Sequence, residues 1–180
     1  MSEKPPTTDP PIVRQRIDTL DRMWKEIEKL IEGSHLFRSL DEAGRRELLQ
    51  RGHLRFFQAG SVILKEGDEG QSFFVIDHGV VEVSTRDESA GEVALTTLQR
   101  GAFFGEVAVL TGLVRTATVV ALTDVAAVSF DRKDVDELLF SNPKAKRLLD
   151  AVMNGRARDT AEKIARASTY PSPRDSEKDE

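Results

Sequence analysis

Residues 103 to 116, FFGEVAVLTGLVRT, are apolar or small except for one acid and one base: Glu106 follows Gly105, and Arg115 precedes Thr116. A guanidinium offers a rigid fork of donors that matches phosphate oxygens, and the Thr116 hydroxyl adds a donor beside it. A carboxylate repels phosphate but accepts hydrogen bonds well from sugar hydroxyls. Gly105 permits close approach of backbone, and Glu106 to Leu110 suit one helical turn whose first N–H groups face outward, toward an anion. Together these residues predict a pocket for an anion attached to a sugar. A buried salt bridge between Glu106 and Arg115 that stiffens the loop carries comparable weight on the charges alone, because structural ion pairs are common in such settings.

Composition bounds what can hold this constellation. The chain has 180 residues, 39% hydrophobic and 32% charged, enough apolar material for one globular core with helical decoration. A net charge of −5 argues against a dedicated nucleic-acid binder, which needs a basic footprint against phosphate. The absence of cysteine excludes disulfides, thiolate metal sites and cysteine nucleophiles. It fits a cytoplasmic protein, as does the start, MSEKPPTTDPP, which has no apolar stretch of signal-peptide type. The weakly polar run around residues 116 to 130 is interrupted by Asp124 and falls short of a membrane span.

The elements that must position the site read as helices, then short strands, then helices. Residues 1–11 and 168–180 are polar and are expected to be flexible tails. In the segment 12–33, Val13, Ile17, Leu20, Trp24, Ile27 and Ile31 recur at steps of four and three, which predicts an amphipathic helix ending at Gly33. Its stripe serves equally a homodimer through residues 12–32 or docking on its own domain. Ser39 and Glu42 read as a capping box opening a helix over Glu42 to Gln50, stopped by Gly52. Glycine-punctuated apolar runs follow at Leu54–Phe57, Ser61–Leu64, Phe73–Ile76, Val80–Ser84, Val93–Leu98, Thr116–Leu122 and Val125–Phe130. Their spacing of about ten residues predicts a compact antiparallel barrel, sandwich or jelly roll. Helical spacing returns after Asp131, breaks at Asn142-Pro143, and resumes from Lys144 to about Ala167.

The stretch GAFFGEVAVLTGLVRTATV resembles the phosphate-binding cassette of the cyclic nucleotide-binding domains, and QAGSVILKEGDEGQSFFVIDHGVVEV resembles the glycine-marked hairpins of the same family. The likeness runs from about Leu36 to Ala167, so the resemblance places that domain over residues 34–167. The fold it implies is α+β, a jelly-roll-like antiparallel β-roll flanked by N-terminal helices and two C-terminal helices. It gives Glu106 the ribose 2′-hydroxyl and Arg115 the cyclic phosphate, with Phe104, Gly105, Thr116 and the backbone N–H groups of Val107, Ala108 and Ala117 completing the cassette. Val114 stands where kinase regulatory subunits usually carry proline, and Thr116 where they carry alanine. The Arg115-Thr116-Ala117 order is instead similar to that of cyclic nucleotide-regulated channels. A threonine hydroxyl there also reaches the exocyclic amine of a syn guanine, so both cyclic AMP and cyclic GMP are expected ligands, with cyclic AMP slightly ahead.

By the same resemblance, Val83, Leu98 and Phe104 are apolar walls for the purine. Arg156, on the last helix, is placed where it stacks on the base as a cation over a π face. Residues 144–166 hold seven basic and three acidic side chains, so Arg156 reads equally as part of a solvated helix face. A receptor of this kind signals when its last helix closes better over bound ligand than over none. The thirteen mostly polar residues after Ala167 are expected to be too few for a DNA-binding helix-turn-helix. The expected output is therefore a partner protein or a change in self-association. No catalytic set and no cofactor are expected. The competing class, a cupin-like metalloenzyme, needs clustered ligands, whereas His35, His53 and His78 are scattered. A degenerate β-roll adaptor, or a receptor for another nucleotide such as a cyclic dinucleotide, is the remaining alternative.

Overall fold

The computed structural model describes residues 37–169 together with Lys25 and Lys29, both of them helical. The expected tail at 1–11, the remainder of the 12–33 helix, His35 and residues 170–180 lie outside the described residues.

A 3-10 turn over Phe37–Ser39 drops Phe37 fully into the core and leads to helix α1, Glu42–Arg51. The cap of α1 is Asp41 rather than Ser39: its side chain accepts from the Gly44 N–H at 2.8 Å. Leu40 is buried, which pins the chain one residue before the helix and leaves Asp41, extended and exposed, at the capping position.

Eight strands follow: β1 His53–Phe57, β2 Val62–Leu64, β3 Ser72–His78, β4 Val80–Asp87, β5 Gly91–Gln99, β6 Phe103–Phe104, β7 Thr118–Ala121 and β8 Val125–Asp131. They form two four-stranded sheets, ordered β1-β8-β3-β6 and β2-β7-β4-β5, with every pairing antiparallel. The expected jelly-roll-like α+β architecture is the one observed, with β6 added as a two-residue strand.

The run Phe73–Ile76 is apolar throughout because β3 is covered on both faces. Phe73 and Val75 join Phe37, Leu48, Phe130, Leu139 and Leu149 in a core beneath the helices. Phe74 and Ile76 point the other way, into a core shared with Val81, Phe104, Val119 and Ala127 from both sheets. Period-two alternation thus feeds two cores from one strand.

Between β6 and β7 lies a short helix, α2, Glu106–Thr111, bracketed by Gly105 and Gly112, both in the left-handed region. After β8 the chain enters α3, Arg132–Val135, continues through a π-helical stretch over Asp136–Phe140, and restarts as α4, Pro143–Thr169. Helix α4 therefore includes Ser168 and Thr169, which the sequence assigned to the tail. Its N-terminal half is anchored by Ala145 and Leu149.

Candidate functional site

Arg115 enters the site from the segment between α2 and β7, and its backbone is tied to the turn that precedes β3. Its N–H donates to Asp68 O at 2.8 Å, and its carbonyl accepts from Gly67 N–H at 2.9 Å. The side chain is 6% exposed and donates through Nη1 to Gly105 O at 2.8 Å. Among the described residues that carbonyl is the one acceptor the guanidinium reaches, which leaves most of its donor fork available. Burial pushes the Arg115 guanidinium below its ordinary value, and the nearby Glu106 carboxylate opposes that shift.

Glu106 is the first residue of α2 and is 2% exposed. A carboxylate so deeply buried requires a cation or several donors. Its partner is Arg156 of α4, whose Nη1 donates to Oε1. The Glu106 to Arg115 salt bridge considered from the sequence is therefore not the pairing formed: Arg115 turns to the Gly105 carbonyl and Arg156 takes the carboxylate. Arg156 Nη2 also donates to Phe103 O at 2.8 Å, and its guanidinium carbon lies 5.0 Å from the Phe103 ring centroid. The Arg156 guanidinium thus lies over the Phe103 ring and is tied to the cassette while it also borders the cavity.

These groups border a cavity of about 720 Å³ enclosed between sheet β2-β7-β4-β5, helix α2 and the C-terminal half of α4. Every cassette residue singled out in the sequence, from Phe104 through Ala108 and from Arg115 through Ala117, lines it. So do Val83, Leu98 and Arg156. Phe104 is held by ring stacking on Phe74, with centroids 5.0 Å apart and planes 5° from parallel. Sequence reasoning missed the α4 face, where Met153, Ala157, Thr160 and Ile164 line the cavity at steps of four, three and four. That spacing was visible as a helical stripe, but nothing local marked which surface it would cover. It also missed Asp159 and Lys163 on the cavity wall. Lys163 Nζ donates to Leu95 O on β5, and Ser168 Oγ lies 3.2 Å from Ser89 Oγ. These contacts fasten the helix across the mouth.

The cavity's charged lining consists of Glu106, Arg115, Arg156, Asp159 and Lys163, a net charge of +1. With Glu106 and Arg156 paired, Arg115 and Lys163 are the cations of this lining without a carboxylate partner among the described residues; each is bound to a backbone carbonyl, and Arg115 is the one within the cassette. On the outer side of Arg115 an open groove of about 780 Å³ is bordered by Glu66, Gly70, Gln71 and Leu113. His53 sits in β1 and His78 is exposed at the end of β3. Among the described residues no group of three His, Asp or Glu side chains is placed to hold a metal ion, and no helix is long and apolar enough to cross a membrane.

Residues 54–142 match the family profile described as Cyclic nucleotide-binding domain. The chain is 34% identical over 112 residues to a cAMP-dependent protein kinase regulatory subunit of Schizosaccharomyces pombe, covering 62% of this chain and 26% of that one. It is 28% identical over 144 residues to the corresponding subunit of Dictyostelium discoideum, covering 80% and 43%. The chain thus spans less than half the length of these relatives. Among solved structures, it superposes on cAMP-bound PfPKA-R with a TM-score of 0.62 at 29% identity, covering 65% of this chain and 42% of that one. On the Thermus thermophilus Catabolite Activator Protein the TM-score is 0.63 at 26% identity, covering 74% and 62%. The curated relatives are kinase regulatory subunits, which does not support the channel likeness read from Arg115-Thr116-Ala117.

Proposed function

We propose that residues 54–142, which match the profile of the cyclic nucleotide-binding domain, belong to such a domain, that the cavity receives a cyclic nucleotide and that helix α4 reports its arrival. The observation that carries this reading is the buried Arg115 guanidinium, held to the Gly105 carbonyl and lining a cavity whose charged side chains sum to +1. A phosphodiester carries one negative charge and fits that balance, whereas a phosphate monoester or a triphosphate brings more charge than the lining neutralises.

Arg115 then holds the cyclic phosphate, assisted by the backbone N–H groups of Val107, Ala108 and Ala117. Glu106 has committed Oε1 to Arg156, which leaves Oε2 to accept from the ribose 2′-hydroxyl. Val83, Leu98 and Phe104 pack on the purine. Arg156 stabilises the ligand through Glu106 and ties α4 to the site. A ligand that touches both the cassette and the α4 face binds the closed arrangement better than an open one, and that difference is the signal.

Cyclic AMP is favoured because the curated relatives are named for dependence on it, and the Thr116 hydroxyl keeps cyclic GMP as the competing ligand. The names of the same relatives support a protein kinase as the downstream partner. No catalytic step is assigned to the chain. The second reading, an adaptor that keeps the fold without the ligand, is separated by titration. Isothermal calorimetry of protein freed of carried-over nucleotide by unfolding and refolding should give one-site binding to cyclic AMP, with cyclic GMP weaker. A folded protein that releases no heat with either defeats the receptor reading.

A further inference from the structure

Arg115 is not held by its hydrogen bond alone. Gly70, in the segment between β2 and β3, is buried, and its backbone is outside the left-handed region, so backbone conformation does not explain a glycine there. Space does. A Cβ at Gly70 would lie 2.7 Å from Arg115 Nε, 2.8 Å from Arg115 Cζ and 2.5 Å from the Cβ of Ala108. These separations are shorter than packed heavy atoms adopt. From the other side, a Cβ at Gly105 would lie 2.9 Å from Arg115 Nη1. The guanidinium is slotted between two glycines. By contrast, Gly60, Gly67 and Gly91 have positive φ and open space where a Cβ would sit, so turn geometry accounts for them.

We infer that Gly70 is a positioning residue for phosphate recognition: its missing side chain is the slot that sets where the Arg115 fork points. The inference rests on the proposed role of Arg115. The backbone bonds of Arg115 to Gly67 and Asp68, with the bridge between Glu69 and Val114, make the 67–70 turn and the arginine one unit. Ala108 cannot yield to a methyl group without moving α2, whose Val109 is fully buried. The arginine side chain is therefore the group displaced, and it is displaced off the Gly105 carbonyl.

The test is Gly70→Ala in the full chain, read in two ways. In the ligand-free protein, the Arg115 Nε–H resonance, assigned by its loss in Arg115→Lys, should shift and exchange faster with water. In binding, affinity for cyclic AMP should fall about tenfold, as for a misaligned charge-assisted contact, while adenosine, which has no phosphate, stays within about twofold. An unmoved Nε–H resonance overturns the inference, and so does an equal loss for adenosine, which would assign Gly70 to the packing of the whole cavity. If Gly70→Ala does not fold, Gly70→Ala with Ala108→Gly removes the 2.5 Å contact and keeps the 2.7 Å one, and carries the same two readings. Should the unmodified chain bind no nucleotide, the receptor reading fails alone, and the resonance still decides the role of Gly70.

Discussion

A buried carboxylate and a buried guanidinium nine positions apart invite the assumption that they pair, yet Glu106 takes Arg156 and Arg115 takes a carbonyl. The identities of Glu106 and Arg115 as site residues were legible because each is a lone charge in apolar sequence. Their partners were not, because Arg156 is fifty positions from Glu106 and its destination is fixed by which carboxylate burial leaves in need. Nor did anything in the sequence separate Gly70 from the turn glycines around it. The division of labour predicts distinct losses. Arg115→Ala should cost about 1.5 to 3 kcal/mol of cyclic nucleotide affinity with thermal unfolding little changed, measured by calorimetry and circular dichroism. Unchanged affinity would remove Arg115 from phosphate binding. Glu106→Ala should weaken cyclic AMP binding by about 1 to 3 kcal/mol and its 2′-deoxy analogue by distinctly less, because only the former presents the hydroxyl that Oε2 accepts. Equal losses would mean that Glu106 acts by holding Arg156 rather than the sugar.

Strand positions were read to within a few residues because glycine turns and apolar runs mark them directly, while β6 is too short for any periodicity to register. The cap of α1 escaped for a different reason: both Ser39 and Asp41 suit the role by type, and the burial of Leu40 chose between them. Packing also explains how α1 is joined to the C-terminal helices, which no motif announced. Arg51 at the end of α1 donates to Asp134 of α3 at 3.0 Å, to Glu137 of the π-helical stretch at 2.5 Å, and to Glu47 at 2.5 Å. The hydrogen bond from Arg51 holds the Glu137 carboxyl below its ordinary value, with the charges of Arg51 and Lys133 adding to it. A depressed carboxyl contributes stability that is present above the ordinary carboxylate range and is lost as pH falls through the depressed value. Glu137→Gln should therefore lower the unfolding temperature near pH 7, and the gap from the unmodified protein should narrow at a pH below the ordinary carboxylate range. A gap that is the same at both pH values would assign the loss to packing instead of charge.

On the scale of the whole molecule, α4 has two halves with different attachments. Ala145 and Leu149 are buried in the helical core, whereas from Met153 onward the helix faces the cavity and is fastened by Arg156, Lys163 and Ser168. The first half should share the global stability, so Leu149→Ala should cost about 2 to 5 kcal/mol of it. The second half rests on a few polar contacts at its edges, the kind of segment that opens well below the global unfolding free energy. A cyclic nucleotide in the cavity would give Met153, Ala157 and Ile164 an apolar surface to cover. Linkage then requires that ligand favour the closed helix by the same factor by which closure favours ligand. Hydrogen exchange followed by mass spectrometry should thus show residues 153–169 slowed strongly by saturating cyclic AMP and residues 143–150 little changed. Arg156→Ala with Lys163→Ala should weaken both that protection and the affinity by several fold, since removing the fasteners makes the ligand close the helix at its own expense. Protection confined to the cassette, with affinity indifferent to the fasteners, would instead make α4 a fixed wall and leave the domain to signal through the cassette and its contact with α3.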